Sequence, residues 1–191
     1  MISGADDGFV GDGCAADGCV GDGCVGDGCV GDGCVLRDAE PADYDGIRQL
    51  TVGVYVDEGY AGPDYVATLA DVAGRAESTE LIVAVTADVV VGAVALAARG
   101  GPYAELAGPT EAVFRMLVVS PGWRGRGVAT ALVRECLRRA TAAGCRRMVI
   151  STEPEMTPAH RLYDRLGFLR CPDRDWSPVD GVHLLAYAKE L

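Results

Sequence analysis

From Val118 to Ala129 the chain reads VVSPGWRGRGVA, an apolar run, a Pro-Gly turn and then an Arg-x-x-Gly-x-Ala segment that opens an amphipathic helix. Strand, glycine-bearing turn and helix start, in that order, constrain the fold more than any other stretch. The first N–H groups of a helix have no intrahelical acceptor and lie at the positive end of its dipole, so an anion placed there satisfies both. Gly125 and Gly127 let the backbone approach such a ligand closely, and a side chain at Gly127 would stand between the amides and the anion. Arg124 and Arg126 can add charge-assisted contacts to a pyrophosphate. The candidate anion cradle is therefore Arg124, Gly125, Arg126, Gly127, Val128, Ala129 and Thr130. A glycine-rich turn alone is weak evidence, because many strand-to-helix connections carry glycine for packing only.

The helix that follows is well marked. Val128, Ala129, Leu132, Val133, Cys136, Leu137 and Ala140 form one face at helical spacing, Arg134, Glu135, Arg138 and Arg139 point the other way, and Gly144 ends it. Around it the pattern predicts a short strand at 35–37, helices over 43–54 and 63–76, and two β-rich runs at 80–85 and 89–96 joined by Thr86-Ala-Asp88 as a hairpin. A buried strand over 112–119 precedes the cradle, and a strand over 147–151 follows its helix. Thr157 as N-cap with Pro158 at the first helical position starts a short helix that Gly167 terminates, and runs at 168–170 and 182–188 close the sheet. This order gives an α/β fold in one domain, a mixed, mostly antiparallel central sheet flanked by helices.

The first 34 residues are different in kind. A five-residue unit recurs from Val10 to Cys34 as VGDGC, AADGC and three further VGDGC, with cysteines at 14, 19, 24, 29 and 34. The segment has no lysine or arginine, and its seven aspartates supply seven of the formal net charge of −11. Such a composition has little to bury and loses much backbone entropy on ordering, so residues 1–34 are expected to form a disordered low-complexity tail and residues 35–191 the domain. Three readings of the repeat stand: a tandem duplication or translated leader, metal binding or redox exchange by its thiols, and a pentapeptide β-helix. Every cysteine gap is Cys-x4-Cys with no histidine nearby, which speaks against structural zinc, and the repeat is too short and lacks the bulky centre of a β-helix.

Two segments together resemble the GCN5-related N-acetyltransferase (GNAT) family. Arg124-Gly-Arg-Gly127-Val-Ala129 is similar to its acetyl-CoA signature, Arg/Gln-x-x-Gly-x-Gly/Ala, and Ala159-His-Arg-Leu-Tyr163-Asp-Arg-Leu-Gly167-Phe168 to its late helix with a tyrosine and a closing Gly-Phe. The resemblance runs from about Val35 to the C-terminus. It implies a GNAT-like sheet and direct transfer of an acetyl group from acetyl-CoA to an amine, with no acyl-enzyme. It also implies that the backbone of Leu117, Val118 and Val119 holds the pantetheine arm and the thioester carbonyl, an amide N–H serving as oxyanion donor. Tyr163 matches the family's tyrosine, whose phenol would protonate the departing thiolate. As a packed aromatic Tyr163 would have no such role; because Ala159, Leu162 and Leu166 supply the core stripe, it is expected at the stripe's edge with its hydroxyl toward a cleft. Where the family often has asparagine seven residues before this tyrosine, the chain has Met156.

For a general base the candidates are Glu153, after the 147–151 strand, Glu111, before the 112–119 strand, and water relay. Asp57, Glu58 and Tyr60 lie where the family builds its acceptor pocket, and carboxylates there would suit a cationic amine. His160 and His183 have no partner at metal-ligand spacing, so no metal is assigned. Of the domain cysteines, Cys136 reads as a small hydrophobe on the buried helix face. The domain carries 21 acidic against 17 basic residues and no arginine stripe with interleaved aromatics, which argues against nucleic acid as partner. No apolar run reaches membrane-spanning length and the start MISGADDGFV has no signal-peptide pattern, so a cytoplasmic protein without membrane partner is expected. The sequence reading is thus an acetyl-CoA-dependent N-acetyltransferase acting on a small-molecule or amino-acid-like amine. A non-catalytic acyl-CoA-binding regulatory module is the alternative, and a thiol-based metal or redox protein a third reading. The resemblance also allows a homodimer through the last strands.

Overall fold

The computed structural model describes residues 29–30, 33–98 and 100–191, with only the backbone for residues 29 and 30. Its strands are β1 (Cys29–Val30), β2 (Cys34–Asp38), β3 (Glu80–Thr86), β4 (Val89–Ala97), β5 (Glu111–Val119), β6 (Arg147–Thr152), β7 (Leu169–Arg170) and β8 (Leu185–Glu190). They form one sheet in the order β1-β2-β3-β4-β5-β6-β8-β7. Every neighbouring pair is antiparallel except β5 with β6, the mixed and mostly antiparallel sheet that the pattern predicts. Cys34, counted with the tail above, opens β2 and is fully buried, and β1 pairs with it through Val30. Residues 1–28, on which the readings of the repeat chiefly rest, lie outside the described residues.

Helices cover both faces. On one side, α1 (Tyr44–Asp57), α2 (Pro63–Ala70) and α3 (Val72–Ser78) bury Ile47 and Val72 against Leu81, Val83, Ala93, Ala95 and Val118. The expected single helix over 63–76 is broken at Asp71, whose backbone leaves the helical region at ψ 72° and whose carboxylate caps α3 by accepting from Gly74 N at 3.0 Å. On the other side, α4 (Val128–Ala142) and α5 (Thr157–Arg165) close the larger core. Val128, Leu132, Val133, Cys136 and Ala140 are the buried face of α4, as predicted, and each fully buried Val or Leu is worth about 1.5–3 kcal/mol. The start of α4 lies hard on β4: a Cβ at Gly92 would meet Val128 Cγ1 at 3.0 Å and Leu132 Cδ1 at 3.1 Å. Met156, not Thr157, is the N-cap of α5, which places Pro158 second.

The sheet is split at its centre. β5 pairs with β6 only from Glu111 to Val113, whereas β6 continues on β8 as far as Thr152. Met116 has φ +54°, and the β4–β5 register shifts between Ala93 and Ala95, the mark of a bulge that gives β5 an extra residue. A bulge bends its strand and increases its twist, so β5 leaves β6 and turns one backbone edge toward a gap.

Candidate active site

That gap is a cleft of about 500 Å³ that runs from the start of α4 to the end of α1. Its α4 wall is made of backbone. Gly125 and Gly127 have φ of +75° and +85°, conformations that side-chain-bearing residues rarely adopt. Gly127 is the N-cap of α4, and no side chain caps the helix. A Cβ built on Gly127 meets nothing within 4 Å, so the space before the first amides is open. Donors without intrahelical acceptors, the positive end of a helix dipole and unfilled room fit a phosphate group. Gly125, Gly127, Val128, Ala129 and Thr130 all line the cleft, and Leu117, Val118 and Val119 carry the lining along β5.

The two arginines of the cradle diverge. Arg124 lines the cleft, but its Nη2 is 2.5 Å from Glu58 Oε1 and its Nε donates to the Val119 carbonyl at 3.3 Å. Arg126 is not on the lining; its guanidinium lies over the Trp123 ring, 5.1 Å from the centroid.

Opposite β5, the cleft is walled by Ser151 and Thr152 of β6 and by Met156, Pro158, Ala159, Leu162 and Tyr163. Tyr163 is deeper than the edge position expected from the stripe, only 5% exposed. Its ring lies 6.0 Å from Phe114, 5.7 Å from Phe168 and 5.9 Å from Tyr187. Burial pushes its phenol well above the ordinary value, so it keeps its proton through the neutral range. Met156 fills its place with a thioether that accepts from Thr152 Oγ1 at 3.3 Å, which gives the cleft no amide there.

Glu153 is the residue after β6, one step beyond the lining, and burial followed by the charge of Glu155 raises its carboxyl above the usual glutamate range. Its charge acts on Tyr55 and Tyr60, both on the α1 side of the cleft. Glu111 is placed otherwise. Its carboxylate is clasped by Arg174 at 2.8 and 2.9 Å and by Gly108 N at 2.8 Å, at the far end of β5, and the Arg174 hydrogen bond first among these holds its pKa down. An engaged carboxylate away from the cleft is a structural clasp, which removes Glu111 as a candidate base. His160 has its Nε2 3.0 Å from the Glu153 carbonyl and its ring 5.6 Å from Tyr187, and His183 is exposed before β8. Among the described residues no group of His, Cys, Asp or Glu is arranged to hold a metal ion.

Sequence reasoning missed the side chains at the α1 end. Tyr55 and Arg115 line the cleft there, with Tyr65, Tyr103 and the buried Arg75 behind. Arg115 left a signal, as the one charge inside the run AVFRMLVV.

A family model, the acetyltransferase (GNAT) family, matches residues 44–168. The chain belongs to the GNAT family. Solved structures of the family share its fold: an acetyltransferase from Staphylococcus aureus Mu50 superposes at a TM-score of 0.68 with 13% identity, covering 83% of this chain and 99% of that one. A GCN5-related N-acetyltransferase from Kribbella flavida gives 0.63 with 27% identity over 84% and 99%. YncA from Salmonella typhimurium, solved with its cofactor acetyl-CoA, gives 0.65 with 18% identity over 84% and 95%. Among curated proteins, 55 residues are 40% identical to the N-alpha-acetyltransferase MAK3 of Arabidopsis thaliana, covering 29% of each chain. Another 40% identity, over 52 residues, is to aminoglycoside N(6')-acetyltransferase type 1 of Salmonella typhimurium, covering 27% of this GNAT chain and 36% of that protein. The chain thus spans about a third of the length of the curated relatives it matches. No helix among the described residues is long and apolar enough to cross a membrane.

Proposed function

We propose that this GNAT-family protein is an acetyl-CoA-dependent N-acetyltransferase that moves an acetyl group directly to the amine of a small-molecule or amino-acid-like acceptor, without a metal. The observation that carries this reading is the continuity of one cleft, in which the open start of α4, the unpaired edge of β5 and Tyr163 follow one another.

When bound, acetyl-CoA supplies an acetyl thioester whose carbonyl an amine nitrogen can attack. The amides from Gly125 to Thr130 would hold its phosphates, with Arg124 beside them. The edge of β5 at Leu117, Val118 and Val119 offers main-chain groups to the pantetheine arm and, through one N–H, to the oxygen that gains charge. Glu153, directly or through water, takes one proton from the amine, and Tyr163 gives one to the leaving sulfur. Arg126, stacked on Trp123 at the rim, would reach a phosphate only by leaving that ring. The protein acts in the cytoplasm without nucleic-acid or membrane partners, as a single copy or a homodimer, and the part of the repeat that precedes β1 has no catalytic role.

Thiol release from acetyl-CoA against amino acids, polyamines, aminoglycosides and peptide N-termini tests the reading. Tyr163→Phe should lower kcat by about 100-fold at intact acetyl-CoA affinity if the phenol is the acid. The rate on a good acceptor should rise with pH through a midpoint above the ordinary glutamate range, because the ionised carboxylate is the base and burial raises its pKa, and Glu153→Gln should abolish that rise. Tight acetyl-CoA binding with no turnover of any amine would favour the acyl-CoA-binding module.

A further inference from the structure

Two arginines lie at the end of the cleft away from α4. Arg115 lines it from β5, its Nη1 donating to Glu105 at 2.7 Å, with the Tyr65 phenol against the guanidinium and the Tyr103 ring 6.0 Å away. Arg75 of α3 is 1% exposed and makes no ion pair among the described residues. Its Nη1 sits 2.8 Å from the sulfur of Met116, the neighbour of Arg115 on the cleft wall, and 3.3 and 3.4 Å from the carbonyls of Leu69 and Thr68 at the end of α2. A buried cation held only by neutral groups is costly, and its field falls on the nearest opening.

Asp71, the cap of α3, acts on Arg75 by its charge without pairing with it, and the carboxylates nearer the cleft do not offset the two arginines. Glu58, which from sequence would suit a cationic acceptor, is taken by Arg124 at 2.5 Å, and Asp57 is exposed and off the lining. Glu105 answers Arg115 from a side chain that is itself half exposed. The carboxylate that remains for a substrate amine is Glu153, on the β6 side. Guanidinium thus stands on the β5 and α3 side, while the opposite side brings the Glu153 carboxylate just beyond β6 and, from the end of α5, Arg165.

We propose that the acceptor is an amine that also carries a carboxylate, held through that carboxylate by Arg115 with its amine turned toward Glu153. This rests on the transferase reading and names its substrate class. An arginine presents five N–H donors in a planar fork, of which Glu105 engages Nη1, so a second carboxylate can be received on the same group. Arg75 acts from behind the wall as a positioning charge.

The test uses the full chain, acetyl-CoA and matched acceptors: L-leucine, L-glutamine and L-methionine against their carboxamides, with spermidine and kanamycin alongside. The acid of at least one pair should exceed its amide in kcat/KM by at least tenfold. Arg115→Gln should collapse that ratio to near one, mainly through a KM for the acid raised about 30-fold, as loss of a charge-assisted pair predicts. Arg115→Lys, which keeps the charge without the fork, should retain part of the ratio, so an unfolded Arg115→Gln would not hide the effect. Preference for amides, spermidine or kanamycin, or an equal loss on acid and amide in Arg115→Lys, overturns this inference and leaves the transferase standing. Acetyl-CoA binding without turnover of any of these amines overturns both.

Discussion

At the α4 end of the cleft the groups offered to a ligand are main-chain amides from one short run, Gly125 to Thr130, whereas at the α1 end they are side chains, Tyr55 from α1 and Arg115 from β5, backed by Tyr65 from α2 and the buried Arg75 from α3. The first end is local and tolerates changes in the side chains around it. The second exists only because the bulge at Met116 and the break at Asp71 set those elements against one another. One end can thus stay fixed across a family while the other varies, so a shared cradle says little about the acceptor.

The contrast breaks most readily at Gly127. Its φ of +85° disfavours any β-branched residue, and a Cβ there would enter the open space proposed above for the ligand's phosphate. Gly127→Val should weaken acetyl-CoA binding by about 100-fold or more through the strained left-handed conformation and lost amide contacts. Isothermal titration reads this directly. An unchanged affinity would mean that the α4 amides do not hold the phosphates.

A smaller effect is expected from the buried arginine at the other end. Arg75→Met removes the charge and keeps most of the volume, and because the cation has no carboxylate partner, the change in stability should stay within about 1 kcal/mol. The KM for a carboxylate-bearing acceptor should rise about fivefold, the size expected for the loss of one screened charge near the site, while acetyl-CoA affinity holds. A loss of several kcal/mol in urea unfolding, with acceptor KM unmoved, would make Arg75 structural.

The same contrast explains which parts are legible in the amino-acid sequence. The glycine turn into α4 was legible because only spacing and glycines are needed to mark it, and α4 was legible because Val128, Leu132, Val133, Cys136 and Ala140 keep one period. The hairpin at 86–89 follows from two β-rich runs, though Ala87 and Asp88 both adopt positive φ without glycine. The α1 end was not legible. Nothing in AVFRMLVV announces the register shift at Met116, and Arg75, on a short helix among small and polar residues, has the sequence surroundings of a solvated charge. Glu111 was misplaced for the same reason: its partner Arg174 is 63 residues away. Cys34 went with the tail by composition, yet its place in β2 is decided by the strand beside it.

The smallest effect concerns the back of α4, where side chains do brace the backbone-built end. Glu135 accepts from Arg138 at 2.7 and 2.8 Å and from Arg139 Nε at 2.7 Å, while Arg139 reaches Asp38 of β2 and Glu80 of β3. The Arg138 hydrogen bonds first, then those of Arg139, against the cost of burial, hold the Glu135 carboxyl down at about 2. A depressed folded-state pKa contributes stability that is present above the ordinary glutamate value and is lost as pH falls toward about 2. Glu135→Gln should therefore cost about 1 kcal/mol at neutral pH, after allowance for the exposed Arg138, and only a small part of that at pH 2, where about half of the wild-type carboxylate has lost its charge. Urea midpoints at the two pH values measure the difference. Because the cradle faces the cleft from the first turn of α4 and Glu135 lies two turns further along and outward, acetyl-CoA affinity should stay constant; a parallel fall would mean that the amides are aimed by this network and not by the glycine turn alone.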